Sequence, residues 1–229
     1  LRTGMNMHTP IAGAPRPPAL QPAPALQRLQ TLRSGSRRPG EASFFYHDSF
    51  FGNAAVKVLP GEFFVHDDDV LIMTTLGSCI AACLWDRERR IGGMNHFMLP
   101  EGGGDACGRY GSFAMELLIN ELVKRGATRA TLEAKVFGGG AVIGGMTSLN
   151  VGERNTRFVL DYLKTERIAV VSQDVLDIYP RKVCFLPASG KAMVKRLPPA
   201  SAESLVRDER VAAQRAAPAA SAGGSIDLF

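Results

Sequence analysis

The sequence predicts an α+β fold in which a mostly antiparallel β-sheet packs with two main helices. Short apolar runs bounded by glycine, proline and charged residues recur along the chain, which is typical of β-strands joined by tight turns. Two longer segments instead carry apolar residues three and four positions apart, which is the spacing of amphipathic helices. The order of elements is strands, helix, strand, helix and strands, and helices mixed with hairpins indicate an α+β sandwich.

The predicted helices and strands follow from these two spacings. In the first helix, Phe113, Leu117 and Leu122 recur at helical spacing, and Gly126 follows at the position that commonly ends a helix. The predicted helices cover residues 109–125 and 151–165. The predicted strands cover residues 55–59, 62–65, 70–76, 79–85, 91–99, 131–137, 168–175, 182–186 and 191–197.

Composition divides the chain into three parts. Residues 1–42 hold seven of the fourteen prolines and show no helical or alternating pattern, which predicts a disordered tail. Residues 43–197 contain the predicted strands and helices and form the predicted domain. Residues 198–229 are rich in alanine, and we expect them to be a flexible C-terminal tail.

The basic charge of the chain lies in its first forty residues, which contain six arginines and no acidic residue. The whole chain has a net charge of +5 and this segment contributes +6, so the remainder carries −1. A domain without net positive charge gives little support to nucleic-acid binding. RNA binding by the arginine tail is the alternative, and it predicts that deletion of residues 1–40 abolishes function.

The sequence has no run of about eighteen apolar residues and no apolar secretory core near its beginning. We therefore expect a cytoplasmic protein that does not insert into a membrane. Its four cysteines, Cys79, Cys83, Cys107 and Cys184, lack the paired spacing of a disulfide framework. We expect them to be reduced thiols.

The candidate chemistry lies between residues 71 and 100. An apolar run from Cys79, a charged loop over residues 86–90 and a second apolar run predict a β-hairpin, which places position 79 opposite position 97, give or take one. His96 then lies beside Cys79, and a thiol next to an imidazole is the minimum set for an activated thiolate. Gly77 and Ser78 precede the cysteine, and the amides of such a turn can stabilise an oxyanion.

Two simpler interpretations compete with this one. A free cysteine is commonly a small buried apolar residue, as Cys83 is expected to be. A zinc site would need Cys79, Cys83, Cys107 and His96 together, but residues four apart on a strand are separated by about 13 Å, too far to share one ion. We therefore expect neither a metal nor a cofactor.

A third group commonly fixes the tautomer of a catalytic imidazole, and Thr74, Thr75 and Asn95 are the candidates. Asn95 is the strand neighbour of His96, so its side chain is expected to point to the other face. The residues by themselves do not choose between the two threonines.

Two further motifs are interpreted as structural. The three aspartates at 67–69 lack the alternate spacing of cation ligands, which favours a solvated turn. The glycines at 138–140 lack the GK[ST] ending of a phosphate-binding loop, which favours a tight turn in a cleft wall.

Four sequence blocks carry a resemblance to a known family. These are LGSCIAACLWD (76–86), GGMNHFMLP (92–100), AKVFGGG (134–140) and GERN (152–155). In this order and at these distances they resemble CheD, the family of chemoreceptor glutamine deamidases of bacterial and archaeal chemotaxis. The resemblance covers about residues 54–197 and implies a CheD-like deamidase domain, a sandwich of β-sheet and two helices similar to the deamidase domain of cytotoxic necrotising toxins.

The resemblance implies a function and its residues. Cys79 matches the family nucleophile and His96 matches the general base and acid. The substrates would be selected glutamines on the cytoplasmic domains of methyl-accepting chemoreceptors, converted to glutamate. The alternative function is an adaptor that acts mainly by docking to receptors or to a CheC-type phosphatase, a partner that some family members bind.

The chain departs from the family pattern at two places. Family members that read TLGLGSC place the third catalytic residue, a threonine, six residues before the cysteine, where this chain has Met73. Thr74 or Thr75 would then take this role after a small backbone adjustment, or a backbone group would take it. Residues 174–181, DVLDIYPR, stand where many members carry a Gly-Gly pair. We interpret this segment as a surface loop with a changed partner contact.

Overall fold

The computed structural model describes residues 24–99, 105–142, 146–198, 207 and 211, and the side chains of residues 105–109 and 146–150 lie outside that description. The helices are α1 (Pro24–Ser34), α2 (Asp105–Lys124) and α3 (Met146–Thr165), and a 3-10 turn covers Arg129–Thr131. The strands are β1 (Phe44–Asp48), β2 (Asn53–Lys57), β3 (Phe63–His66), β4 (Leu71–Leu76), β5 (Ile80–Asp86), β6 (Ile91–Asn95), β7 (Leu132–Gly138), β8 (Ala169–Val175), β9 (Arg181–Leu186) and β10 (Lys191–Arg196).

The strands form two stacked sheets, and α2 and α3 cover one of them. The outer sheet has the order β1-β2-β4-β9-β10, and the inner sheet has the order β3-β6-β5-β7-β8. Within each sheet the strands pair antiparallel except for β2 with β4 and β7 with β8. The predicted α+β sandwich is confirmed, and its strands form two sheets instead of one.

Strand β5 lies at the centre of the inner sheet and is buried on both faces. Ile80, Ala82 and Leu84 join the core that the inner sheet forms with α2 and α3. Ala81 and Cys83 join the second core, between the two sheets. Since successive side chains on a strand point to opposite faces, both faces of β5 must be apolar, which is why its sequence reads as a continuous apolar run.

Helix α1 corrects the prediction that residues 1–42 form a disordered tail. Leu29 and Leu32 are buried in the core between the sheets, together with Phe45 of β1. Arg28 pairs with Asp68 at 2.9 Å, and Arg33 donates to the Phe45 carbonyl at 3.0 Å. The helix begins at Pro24 and contains leucines at helical spacing. The prediction was wrong for this segment because it weighed the surrounding prolines more heavily than these few leucines.

The remaining parts of the predicted tails lie outside the described residues. These are residues 1–23 at one end and, apart from 207 and 211, residues 199–229 at the other. In the described part of the chain, no helix is both long and apolar enough to cross a bilayer.

Residues 174–181 are a surface loop only in part. Leu176 and Asp177 are exposed, with φ of 63° and 68°, a backbone region that favours glycine. Arg181, however, is fully buried in β9. Its guanidinium binds the carboxylate of Asp174 at 2.8 Å and the carbonyls of Leu176 and Tyr179 at 2.6 and 3.0 Å, and so holds the loop in place.

We expect Arg181→Met to lower the free energy of unfolding by about 3 to 5 kcal/mol, because it removes the buried guanidinium that binds the Asp174 carboxylate and two carbonyls. Arg196 binds the same carboxylate at 3.3 Å but is exposed, so Arg196→Met is the matched control and should cost far less. Urea denaturation of the two variants measures the difference. Equal losses would show that burial of Arg181 is not what stabilises this loop.

Candidate active site

The predicted hairpin forms from β5 and β6, and it brings residue 79 and residue 96 to one face. Ile80 and Phe97 exchange both backbone hydrogen bonds at 2.9 Å, so position 79 lies opposite position 98 and within one residue of the predicted partner. Positions 96 and 98 share a face because the side-chain period of a strand is two. Cys79 and His96 are therefore diagonal neighbours facing the space between the two sheets.

His96 is buried and its backbone is held by the loop between β2 and β3. Its N–H donates to the Glu62 carbonyl at 3.0 Å, and its carbonyl accepts from the Gly61 N–H at 2.7 Å. On the side chain, Nδ1 lies 2.8 Å from Thr74 Oγ1. The Thr74 hydroxyl donates to the Val58 carbonyl at 2.8 Å. Its oxygen is then the acceptor for the Nδ1–H of His96, which leaves the lone pair of the neutral ring on Nε2.

The structure brings Thr74, and not Thr75, to the imidazole. Thr74 is buried and points inward from β4, as do Ile72 and Leu76. Met73 and Thr75 point to the outer face, where Met73 packs beside Tyr46. Of the two threonines that the sequence left open, Thr74 is the one whose side chain contacts His96.

Burial controls the protonation of His96. Loss of hydration lowers the pKa of its imidazole from 6.5 to about 4, the Val58 carbonyl opposes this shift, and the positive charge of Lys57 adds to it. The lowered pKa makes His96 neutral at pH 7. A neutral imidazole with its lone pair on Nε2 is able to accept a proton, as a general base must.

Cys79 is fully buried and immediately precedes β5. Cys83, four residues further along the chain, is also buried, and burial raises the pKa of its thiol well above the usual range. Among the side chains described, no three histidine, cysteine or acidic residues are grouped as metal ligands would be, and the side chain of Cys107 lies outside that set.

Three consecutive carbonyls of the turn before β5 each accept a hydrogen bond. The Gly77 carbonyl accepts from Gly140 N–H at 2.9 Å, and the Cys79 carbonyl accepts from Gly139 N–H at 2.8 Å. The Ser78 carbonyl accepts from Asn155 Nδ2 at 2.9 Å. In a planar trans peptide the N–H points opposite to the carbonyl, so the N–H groups of Ser78 and Cys79 are directed away from these donors.

The glycines at 138–140 lie at the end of β7, and the contacts of Gly138 and Gly139 require glycine. A Cβ on Gly138 would lie 2.1 Å from the Cys79 carbonyl oxygen, and one on Gly139 would lie 2.2 Å from Thr156 Oγ1. Both residues also have positive φ, 113° and 66°. The loop therefore packs directly, backbone against backbone, on the turn that carries Cys79.

Sequence reasoning missed Asn155 of α3. Its side chain is fully buried and touches the Cys79 turn, although it lies 77 residues away from Ser78 along the chain. The available signal was the GERN block, which ends at Asn155 and was one of the four that carry the resemblance.

Comparisons with known proteins agree with the resemblance. The family described as CheD chemotactic sensory transduction matches residues 98–196. The "Probable chemoreceptor glutamine deamidase CheD 1" of Albidiferax ferrireducens is 62% identical over 90% of this chain and 88% of its own length. Proteins named "Probable chemoreceptor glutamine deamidase CheD" from Janthinobacterium sp. (strain Marseille) and Bordetella petrii are 50% and 52% identical, over 82% and 85% of this chain and 95% and 91% of theirs.

The lowered pKa of His96 predicts how stability depends on pH. Between about pH 6.5 and pH 4 the unfolded chain binds a proton at this residue and the folded chain does not, so the free energy of unfolding falls as the pH falls. Between pH 7 and pH 4.5 this residue accounts for a loss of about 2 kcal/mol.

We expect His96→Gln to lose about 2 kcal/mol less than the wild-type protein over that interval, as measured by urea denaturation at the two pH values. His66, whose pKa burial also lowers, is present in both proteins and cancels in the difference. An equal loss in both proteins would contradict a neutral, buried imidazole.

Proposed function

Since this chain belongs to the CheD family, we propose that it is a protein-glutamine deamidase that converts chemoreceptor glutamines to glutamate through Cys79 and His96. Its relatives are named as chemoreceptor glutamine deamidases. The observation that carries the proposal for the residues is the 2.8 Å contact between Thr74 Oγ1 and His96 Nδ1, on the sheet face that also carries Cys79. This arrangement supplies a nucleophile, a base and a group that orients the base.

In the first half of the proposed reaction, the Cys79 sulfur attacks the carboxamide carbon of glutamine while His96 Nε2 accepts the thiol proton. The C–S bond forms and the carbonyl π electrons move to oxygen. Collapse of this intermediate breaks the C–N bond, and His96 returns the proton to the departing nitrogen, which leaves as ammonia. The product is a thioester between Cys79 and the substrate side chain.

In the second half, water attacks the thioester carbon and His96 accepts a proton from it. The C–S bond breaks, the thiol regains its proton and the glutamate side chain is released. The neutral state of His96 at pH 7 suits both proton-accepting steps. Thr74 holds Nδ1–H in each step, so that the basic nitrogen is always Nε2.

The negative oxygen of the two intermediates needs hydrogen-bond donors that are already in place. We assign this role to the backbone N–H groups of Ser78 and Cys79. Their orientation is fixed by the hydrogen bonds that Gly140 and Asn155 make to the preceding carbonyls. Gly77 contributes to this orientation because its carbonyl accepts a hydrogen bond from the Gly140 N–H.

The proposed cellular location of the enzyme follows from its proposed substrate. The receptor domains that carry the glutamines are cytoplasmic, so we place the enzyme in the cytoplasm. A phosphatase of the CheC type is a further proposed partner, on the basis of the family resemblance alone.

We expect Cys79→Ala to abolish ammonia release from a chemoreceptor cytoplasmic fragment, together with the mass increase of about 1 Da that each deamidated glutamine gains. Cys83→Ala is the matched control on the same strand and should retain activity per folded molecule, because the Cys83 thiol is held neutral in the core. Ammonia assay and mass spectrometry of the receptor peptides measure both effects.

Two outcomes would contradict the proposal. Full activity of Cys79→Ala would exclude the thiol mechanism. A wild-type protein that binds the receptor fragment and releases no ammonia would favour the adaptor function instead.

We expect Thr74→Val to lower kcat between about 10-fold and 100-fold, because the imidazole loses the acceptor that orients it. Thr75→Val makes the same chemical change on the opposite face of β4 and should leave kcat unchanged. Steady-state ammonia release from the receptor fragment distinguishes the two variants. If Thr75→Val were the slower enzyme, the assignment of the third residue would be wrong.

A further inference from the structure

Asn155 joins the two chain segments that carry the proposed catalytic residues. Its Nδ2 donates to the Ser78 carbonyl at 2.9 Å, in the turn before β5. Its Oδ1 accepts from the Leu99 N–H at 3.1 Å, three residues after His96. The side chain is fully buried, and both ends of its carboxamide are used.

The register of the hairpin shows that the Asn155 side chain occupies the place of a backbone hydrogen bond. Ile80 and Phe97 form a pair that exchanges both backbone hydrogen bonds. Hydrogen-bonded pairs alternate with non-bonded pairs in an antiparallel ladder, so the next bonded pair would be Ser78 with Leu99. The Ser78 carbonyl and the Leu99 N–H, which such a pair would join directly, both bind Asn155. The carboxamide thus takes the place of a ladder bond.

This substitution occurs next to the nucleophile. Cys79 lies between Ile80, which forms the last ladder pair with Phe97, and Ser78, whose carbonyl binds Asn155 instead. Because Asn155 fixes the direction of the Ser78 carbonyl, it also fixes the N–H of Cys79, which belongs to the same planar peptide and points the opposite way.

Helix α3 leaves Asn155 little freedom to adjust. A Cβ on Gly152 would lie 2.3 Å from the Gly139 carbonyl oxygen, so the helix packs as closely as glycine permits against the 138–140 loop. Thr156 donates to the Gly152 carbonyl at 2.8 Å, and Arg154 Nη2 lies 3.3 Å from the Leu99 carbonyl oxygen. The bridge is therefore a rigid part of the site.

We propose that Asn155 is a positioning residue of the deamidation reaction: its carboxamide replaces the Ser78–Leu99 ladder bond, sets the spacing between the Cys79 turn and the segment that carries His96, and aims the Cys79 N–H at the substrate oxygen. This inference rests on the proposed function. Asn155 does not touch the substrate and acts through the peptide that joins Ser78 to Cys79.

Two substitutions test the bridge. Asn155→Asp keeps nearly the same shape and the acceptor for Leu99 but loses the donor to Ser78, and Asn155→Ala removes both. Each should lower kcat by about 100-fold, the size of effect seen when one oxyanion donor is lost. KM should stay within about twofold of the wild-type value, because the substrate-binding surface is unchanged. Circular dichroism and thermal melting identify the folded variants.

Asp86→Ala is the control for a purely structural effect. Asp86 is buried at the other end of β5 and accepts from the N–H groups of Glu88 and Arg89 at 3.0 Å and of Thr128 at 3.1 Å. Its loss should lower the melting temperature while kcat and KM per folded molecule stay at the wild-type values.

The outcomes separate this inference from the proposed function. A wild-type protein that releases no ammonia from the receptor fragment overturns both. An active wild-type protein with an Asn155→Asp variant within threefold of its kcat overturns the role of Asn155 alone. The role of Asn155 is also overturned if Asn155→Asp and Asn155→Ala lose no more activity than Asp86→Ala does at a comparable loss of melting temperature. If Asn155→Ala does not fold, Asn155→Asp decides the question.

Discussion

The hydrogen bond between Thr74 and His96 links the two sheets at the candidate active site. Thr74 belongs to the outer sheet, and His96 continues the hairpin of the inner sheet, so the bond forms only when the two sheets are stacked. The contact is buried, and this burial lowers the pKa of the imidazole and keeps it neutral at pH 7. The stacking that stabilises the domain thus also sets the protonation state on which the proposed chemistry depends.

A second constraint acts on the other side of the Cys79 turn. The glycines at 138–140 and Gly152 of α3 bring three backbone segments closer together than any larger residue would allow. This close approach lets the amides of Gly139 and Gly140 and the side chain of Asn155 bind three consecutive carbonyls. These three hydrogen bonds hold the turn, and the proposed oxyanion role of the Ser78 and Cys79 N–H groups depends on them.

Much of the fold was predictable because local patterns determine it. The apolar runs from residue 55 to residue 95 correspond to β2 through β6, with ends shifted by a few residues. Both main helices are present, and α3 begins five residues earlier than its apolar stripe suggested. Helix α1 was missed because its stability comes from the burial of Leu29 and Leu32 against the sheets, whereas its composition resembles that of a disordered segment.

The candidate site was predictable where its parts are close in sequence. The hairpin register follows from loop length, so the position opposite Cys79 could be inferred within one residue, and with it the proximity of His96. The identity of the third residue could not, because Thr74 and Thr75 are both polar, and only the stacking of the outer sheet decides which of them faces the imidazole. Asn155 was equally inaccessible, since α3 reaches Ser78 only after the whole inner sheet has formed.

The sequence by itself determined the nature of the strands and main helices, the proximity of Cys79 and His96, and the family. Each depends on spacing along the chain or on short motifs. Tertiary structure alone decided which threonine binds His96, how strongly its imidazole is desolvated, and which donors hold the Cys79 turn. The physical reason is that these features arise between segments far apart in sequence, which meet only when the two sheets and α3 are packed together.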